Sequence, residues 1–466
     1  MFPVGGTSSD RIPSMGLAVL SGAIAAAVLF PLTWLLIEVV TVDPERSRSL
    51  LTDPGTLDVL FNSIELTVGV TAGAVLLGVP LAMLTARTDL PFRRFWTILV
   101  ALPLVVPSYI GAFAFVSAFG PQGEFHDLLE PVGVDHIPEI YGLPGAILVI
   151  TLYTYPYVFL TTRAALLALD TRQVEAARTL DQGRLAAFRR ITLPQIRPAV
   201  AAGGLLTALY AISDFGTPAI MRLPVFTRQI FVEYHAFNSE YAVLLSVQLL
   251  AVVLVVIALE WLIRPRETIH GDGAGERRSI ISLGRWRWAA TVFPATVASV
   301  ALVVPVWILT LWVRRSSVGY QPSLAFEWSH AVNSIAVSSA TAVVAALAAL
   351  PIAYYAARHG SLLSTVFERA SYVGFAVPGI VLALALVYYG SGYAPWLYQT
   401  IPLLIFAYVV RFLPQSVGSS RTALLQVDPA LVEAGRTLGR GPWEPIGESP
   451  CHWSGPGSSR EQHWSS

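Results

Sequence analysis

Ten long apolar stretches constrain this 466-residue chain more than any other feature of its sequence. A helix needs roughly 20 apolar residues to cross a hydrocarbon layer about 30 Å thick. We therefore predict an all-α polytopic membrane protein with about ten spans, at residues 15–40, 60–85, 95–118, 142–166, 199–221, 240–263, 288–313, 333–356, 369–388 and 393–410. The first stretch is too long and begins too late for a cleaved signal peptide, so we expect it to be a span.

The composition supports a membrane protein and excludes several kinds of chemistry. Only 13% of the residues are charged, against about 25% in soluble proteins, and the net charge of zero gives no argument for a nucleic-acid partner. All 30 basic residues are arginine. The absence of lysine excludes a P-loop and a Schiff-base site in their usual forms. Cys451 is the single cysteine, which excludes an intrachain disulfide and a cysteine-based metal site.

The distribution of arginine predicts the orientation of the spans. Arginines follow the second, fourth and sixth spans, whereas the loop at 120–141 contains five acidic residues and no arginine. The positive-inside rule places the arginine-rich segments and the N-terminus in the cytoplasm. The pair Arg314 and Arg315, just after the seventh span, is the exception.

The two halves of the chain are repeats. Asn62-Ser63 recurs as Asn333-Ser334, an offset of 271 residues that other matches share. Glu175 recurs as Glu433 at an offset of 258, after a shorter external loop. The repeat predicts tandem modules, with the domains 1–264 (first module), 265–286 (polar cytoplasmic linker), 287–446 (second, incomplete module) and 447–466 (polar tail).

A basic segment at 170–198 separates two spans and is predicted to form short helices outside the membrane. Asp181 to Gly183 provides a natural bend, because glycine adopts left-handed backbone angles freely. Pro194 and Pro198 then stop or kink the chain before the next span. The alternative interpretation is an ordinary basic loop held by lipid headgroups, but the segment recurs in the second half.

This segment resembles the EAA loop of ABC-importer permeases in Glu175-Ala176-Ala177 and in Leu193-Pro194. Asp181 occupies the position at which the family usually has glycine. Fused twin modules resemble the permeases of ABC importers, and residues 103–111 and 213–217 resemble the ferric-iron permeases most closely.

The resemblance implies a transport subunit without catalytic residues, cofactor or metal of its own. Two copies of a separate ATPase would bind ATP and Mg²⁺, and an external binding protein would deliver cargo across a prokaryotic cell membrane. The implied coupling residues are Glu175, Ala176, Ala177, Leu180, Asp181, Gly183, Leu193, Pro194, Glu433, Ala434, Gly435 and Gly439.

Asp214 is the most informative residue within the spans, since an ionisable group at membrane depth suggests function. The candidate pathway residues are Asp214, Phe215, Gly216 and Thr217. His126 and His136 lie in the external loop with loose spacing, so we expect no metal site there.

The pattern of the family stops after Gly441, where about twelve spans would be expected instead of ten. We expect a truncation or frameshift, or alternatively a natural ten-span variant. Other cargoes remain open, namely thiamine, a polyamine, an oxyanion or a phosphonate. A secondary transporter also has repeated halves, but the matched polar features here lie in loops.

Overall fold

The computed structural model describes residues 8–120, 123, 125, 140–169, 188–263, 280–316, 327–359 and 361–426. All regular secondary structure in these ranges is helical, apart from one isolated bridge between Thr88 and Ile281. Eight of the described helices are long and apolar enough to cross a membrane, and two sharply bent pairs raise the number to as many as ten. The predicted all-α polytopic fold with about ten spans is confirmed.

The described helices of the first half are α1 (Ser8–Thr41), α2 (Pro44–Leu51), α3 (Pro54–Arg87), α4 (Arg93–Leu99), α5 (Ser108–Phe119), α6 (Gly142–Ala168), α7 (Leu193–Ser213), α8 (Gly216–Ile220), α9 (Phe226–His235) and α10 (Ser239–Ile263). Those of the second half are α11 (Val292–Ala298), α12 (Val304–Ser316), α13 (Trp328–Arg358), α14 (Leu362–Ala376), α15 (Gly379–Tyr393) and α16 (Ile401–Gln426). One turn of π-helix at Ser299–Val303 joins α11 and α12 into one span.

Asp-Pro pairs begin the two helices that follow α1. The Asp43 carboxylate accepts a hydrogen bond of 2.8 Å from the Glu45 N–H, and Asp53 accepts one of 2.9 Å from the Gly55 N–H. Each aspartate satisfies a free donor at the helix start, and the proline after it needs no partner for an N–H.

The third and ninth predicted spans are each built from two helices that meet at a sharp bend. The segment that contains α4 meets α5 at 91°, and α14 meets α15 at 100°. Each bend lies at a Val-Pro pair, in which Val106 and Val377 have ψ angles of 124° and 126°. Proline disfavours helical backbone at the residue before it and donates no hydrogen bond itself.

The fifth and tenth predicted spans differ from the helices in extent. α7 ends at Ser213 because Asp214 adopts an extended conformation with ψ of 124°. α16 begins at Ile401 and continues to Gln426, well beyond the end of the apolar stretch at residue 410. Helical hydrogen bonding continues there although the sequence becomes polar.

The sequence repeat is also a repeat of packing. α3 packs along α6 in the first half, and their counterparts α13 and α16 pack along each other in the second. The broken span of the second half approaches α16 closely at Gly374, where an added Cβ would overlap the Val410 carbonyl oxygen.

The first long helix of each half packs against the other half. α1 contacts α13, α14 and α15, and the Trp34 ring lies 4.2 Å from that of Tyr393. In return α12 contacts α5, and the Tyr153 hydroxyl donates to the Ala301 carbonyl at 3.2 Å. One buried cluster contains side chains from both halves, so the halves interlock instead of meeting at a flat surface.

The described end of the linker is fixed to the first half. The Ile281 N–H donates to the Arg87 carbonyl at 2.7 Å, and the Leu283 N–H donates to the Asp89 carboxylate at 2.7 Å. Residues 264–279, residues 427–446 and the tail 447–466 lie outside the described part of the chain. The predicted domain boundaries therefore stay predictions.

Candidate functional site

The end of the predicted coupling segment is anchored in the core of the first half. One turn of π-helix at Phe188–Thr192 leads into α7, which begins at Leu193. Leu193 is half-buried and packs against a cluster that includes Leu166 of α6. Pro194 is exposed in the first turn of α7. Both ends of the segment therefore connect to helices that pack together.

The other predicted coupling residues lie outside the described residues. They are Glu175, Ala176, Ala177, Leu180, Asp181, Gly183, Glu433, Ala434, Gly435 and Gly439, together with the loop histidines His126 and His136. Their roles stay predictions.

Asp214 forms a hydrogen-bonded junction between α7 and the broken span of the first half. Its carboxylate accepts from the Ser108 hydroxyl at 3.0 Å and from the Gly216 N–H at 3.2 Å. The Tyr210 hydroxyl donates to Ser108 at 3.1 Å, and the Thr227 hydroxyl donates to the Asp214 carbonyl at 2.7 Å. Because Ser108 is the first residue of α5, the carboxylate fixes the corner of the break to the end of α7.

The three residues after Asp214 pack against neighbouring helices. The Phe215 ring lies 4.9 Å from that of Phe231 in α9. A Cβ added to Gly216 would lie 2.6 Å from the Cβ of Tyr109, so only glycine permits this approach of α8 to α5. Thr217 is fully buried, with 0% of its surface exposed. Of the four candidate pathway residues, Thr217 alone has no solvent-accessible surface.

Arg411 bonds to the corner of the broken span in the second half. Its Nη1 donates to the Val377 carbonyl at 2.9 Å. In an unbroken helix that carbonyl would accept from the N–H of Val381, but this N–H instead bonds the Pro378 carbonyl at 3.0 Å. Val377 is only 1% exposed, so the guanidinium satisfies an acceptor that water does not reach.

The two breaks are thus stabilised by different kinds of side chain, one acidic and one basic. An aspartate holds the corner of the first break, and an arginine on α16 holds the corner of the second. The repeat places Tyr153 at the position of Arg411, at an offset of 258. Sequence reasoning missed Arg411 because the tenth predicted span ended one residue before it. An arginine directly after an apolar run was the available signal.

Comparison with known proteins assigns the chain to a family. A family model described as "Binding-protein-dependent transport system inner membrane component" matches residues 74–268 and 349–446. The chain belongs to this family. It is a permease of the ABC-importer type, a multi-pass protein of the inner membrane that operates with a substrate-binding protein and an ATPase.

Individual relatives extend the match over most of the permease. The Fe(3+)-transport system permease protein FbpB 2 of Haemophilus influenzae is 30% identical over 93% of this chain and 83% of its own length. The ferric transport system permease protein FbpB of Actinobacillus pleuropneumoniae is 23% identical over 85% of this chain and 61% of its own length. The molybdenum transport system permease protein ModB of Mycobacterium bovis is 29% identical over 41% of this chain and 71% of its own length.

The permease is a transport subunit, as its relatives are. Among the described residues, no group of three or more His, Cys, Asp or Glu side chains could hold a metal ion. The polar groups of its described membrane region instead connect helices, at Asp214 and at Arg411. These bonds hold each broken span to a neighbouring helix.

Proposed function

We propose that this permease carries ferric iron from an external binding protein across the cell membrane. The observation that supports iron is the 30% identity to an Fe(3+)-transport permease over 93% of the chain. This match includes both halves, whereas the molybdenum relative matches 41% of the chain.

The energy comes from two copies of the partner ATPase, each of which binds ATP and Mg²⁺ and receives one coupling segment. The first copy contacts the segment around Glu175, and the second contacts the segment around Glu433. The N-terminus lies in the cytoplasm, on the same side as both segments. This orientation is supported by the arginines that follow the even-numbered spans of the first half.

Cargo passes between the broken spans, beside Asp214, Phe215 and Gly216. Closure of the ATPase pair displaces the coupling segments, and α7 transmits this displacement from Leu193 to the junction at Asp214. The proposal is supported by the anchoring of Leu193 in the core and by the bond between Asp214 and Ser108.

A second candidate cargo is an oxyanion such as molybdate. Arg411 places a positive charge at the second break, and positive charge favours an anionic cargo. The molybdenum permeases among the relatives support the same alternative.

Transport in reconstituted vesicles distinguishes the two cargoes. The chain is inserted together with its partner ATPase and binding protein, and ATP-dependent uptake of labelled ferric iron and of labelled molybdate is measured in parallel. We expect iron uptake that requires ATP and loaded binding protein. Uptake of molybdate alone would replace the iron assignment with the oxyanion.

A coupling variant tests the role of the predicted segment. Glu175→Arg reverses a charge that the ATPase would contact, so we expect the ATPase to be lost on purification of the complex. Glu45→Arg, on an exposed helix of the opposite membrane face, is the matched control and should retain it. Equal retention in both variants would exclude Glu175 as a docking residue.

A further inference from the structure

In the first half, α3 and α6 form a groove that holds α7. The approach of α7 to α6 is so close that a Cβ added to Gly203 would overlap the Thr161 hydroxyl and lie 2.6 Å from the Cα of Val158. A Cβ added to the next residue, Gly204, would lie 3.5 Å from the Thr71 side chain of α3. Small residues at the point of closest approach are a common way of packing membrane helices, and here they seat α7 against both neighbours.

The loop between α8 and α9 is bonded to the same side of α3. The Asn62 amide donates to the Pro224 carbonyl at 3.1 Å, and the Phe226 N–H donates to the Ser63 hydroxyl at 3.1 Å. Ser63 is only 3% exposed. The dipeptide Asn62-Ser63 therefore binds one backbone acceptor and one backbone donor of a non-helical segment.

The second half repeats this groove with its residues exposed. Asn62-Ser63 recurs as Asn333-Ser334 on α13, and α13 packs along α16 as α3 packs along α6. Asn333 and Ser334 are both exposed. The Ser334 hydroxyl donates within its own helix, to the His330 carbonyl at 2.8 Å. The dipeptide thus lies on a surface whose counterpart in the first half is buried by a bonded loop.

The groove of the second half is also polar along α16. At the offset of 258, Gln415 and Ser419 stand in place of Tyr157 and Thr161, and both are exposed. In the most apolar stretch of each helix, 67% of α6 is buried but only 28% of α16. An amide such as that of Gln415 is costly to place against hydrocarbon, so this face is suited to a protein neighbour better than to lipid.

We propose that the groove between α13 and α16 binds a pair of membrane helices from a second polypeptide with the chemistry of residues 193–263. The first of these helices has small residues where it crosses α16, as α7 has at Gly203. The loop that follows presents a carbonyl to Asn333 and an N–H to Ser334. The repeat identifies this occupant, because a helix and a loop of this kind cover the equivalent residues of the first half. A second copy of the chain fits less well, since its own α7 is seated in its own groove.

Disulfide cross-linking between the full chain and a probe tests the proposal. The probe is residues 193–263 of this chain, produced as a separate tagged polypeptide in the same membranes. Cys451→Ser in the chain leaves only introduced cysteines. We expect Ser334→Cys in the chain to cross-link with Phe226→Cys in the probe. Ser63→Cys in the chain should not, because the chain's own loop already covers that position.

Three results would overturn the proposal. The first is equal cross-linking at positions 63 and 334, since the probe would then have no preferred site. The second is a lack of cross-linking at position 334 with the probe recovered in the membrane fraction. The third is disulfide-linked dimers of the Ser334→Cys chain in place of a cross-link to the probe, which would assign the groove to a second copy.

Two adjacent glycines of the probe test the packing of the helices. Gly203→Ala adds a Cβ where the first half has no space for one, so we expect the yield of the cross-link at position 334 to fall by at least about fivefold. Gly204→Ala is the matched control, because a Cβ there makes an ordinary contact of 3.5 Å. Equal yields from the two probes would contradict the proposed approach of the helix to α16.

Asn333→Leu tests the polar contact from the side of the chain. Loss of one hydrogen bond should weaken binding of the probe by roughly fivefold, measured as the tagged probe that co-purifies with the chain over a titration. Ser339→Leu is the matched control, because its counterpart Val68 is 62% exposed in the first half and so lies outside the groove. Unchanged binding in Asn333→Leu, or equal loss in Ser339→Leu, would contradict the assigned position.

Discussion

Arg411→Met tests whether the guanidinium stabilises the broken span of the second half. Methionine retains much of the volume and removes the donor to the Val377 carbonyl, a bond of 2.9 Å. Val377 is 1% exposed, so water does not replace the donor, and an unpaired buried acceptor costs about 1–3 kcal/mol. Arg411 is itself only half-buried, and removing a partly desolvated charge offsets part of this cost. We expect a net loss of about 1–2 kcal/mol in local stability.

Amide hydrogen exchange measures this loss of local stability at the break itself. The N–H groups of Val381 and Leu382 both bond the Pro378 carbonyl, at 3.0 and 3.2 Å. A loss of about 1–2 kcal/mol raises exchange through local opening by roughly five- to thirtyfold. The N–H of Ile110, which bonds the Pro107 carbonyl at the first break, should not change.

Arg421→Met is the comparison variant, because it removes the same charge from the same helix together with an ion pair to Glu368 of α14, but leaves the bond to the Val377 carbonyl intact. Arg411→Lys keeps a donor on a shorter side chain and should give an intermediate rise in exchange. Unchanged exchange at Val381 and Leu382 in Arg411→Met would refute the reasoning. An equal rise in Arg421→Met would also refute it, since the effect would then follow helix charge and not the bond to the break.

Three further predictions concern packing and the first break. Gly374→Ala should overpack the contact with α16 and reduce the free energy of unfolding by about 1–3 kcal/mol, which lowers the unfolding midpoint in detergent. Gly392→Ala should leave the midpoint unchanged, because a Cβ added there meets open space. Equal midpoints in the two variants would contradict the close packing of α14 on α16. Asp214→Ala removes both carboxylate oxygens and leaves the Ser108 hydroxyl and the Gly216 N–H without their acceptor. It should therefore lower the unfolding midpoint of the protein more than Asp214→Asn, which keeps one acceptor oxygen. Trp34→Ala should weaken the packing of α1 on α15, by less than the roughly 3–5 kcal/mol lost with a fully buried aromatic residue. The loss is measured as earlier proteolysis of α1 in a time course, and Trp34→Phe should remain closer to wild type.

Hydropathy predicted the membrane fold because long apolar helices have few alternatives in lipid. The repeat of Val106-Pro107 as Val377-Pro378 was visible in the sequence. The same pairs mark the two breaks, but a hydropathy window averages over a proline and reports one continuous span. The chemistry of the dipeptide predicts the break better than the window does.

The packing of α1 on the second half could not be predicted from the sequence. Hydropathy identifies Trp34 as part of a span but does not say which helix its ring contacts. Lipid and protein neighbours are equally apolar, so the pattern of a single span contains little information about its partners. The predicted first module, 1–264, contains α1, and the structure packs this helix against α14 and α15 of the second half as well as against α10 of the first.

The two candidate sites differ in how much the sequence revealed. Asp214 was identifiable as an ionisable residue at membrane depth, although its bonds to Ser108 and Gly216 required the structure. Arg411 was missed because a span defined by hydropathy ends where polar residues begin, and the tenth predicted span ended at residue 410. A helix ends where its hydrogen bonds end, and α16 continues fifteen residues beyond Arg411.

Each half connects its proposed coupling segment to its broken span through one continuous helix. In the first half, α7 has 21 residues and a length of about 31 Å at 1.5 Å per residue. It carries Leu193 at the coupling end and leads to Asp214 at the break. In the second half, α16 carries Arg411 at the break and leads toward the segment around Glu433. Under the proposed mechanism, movement of either segment would be transmitted along its helix and would change the geometry of the break that the helix holds. In the proposed pathway, a cargo between the two breaks would then meet the acidic side chain of Asp214 on one side and the basic side chain of Arg411 on the other.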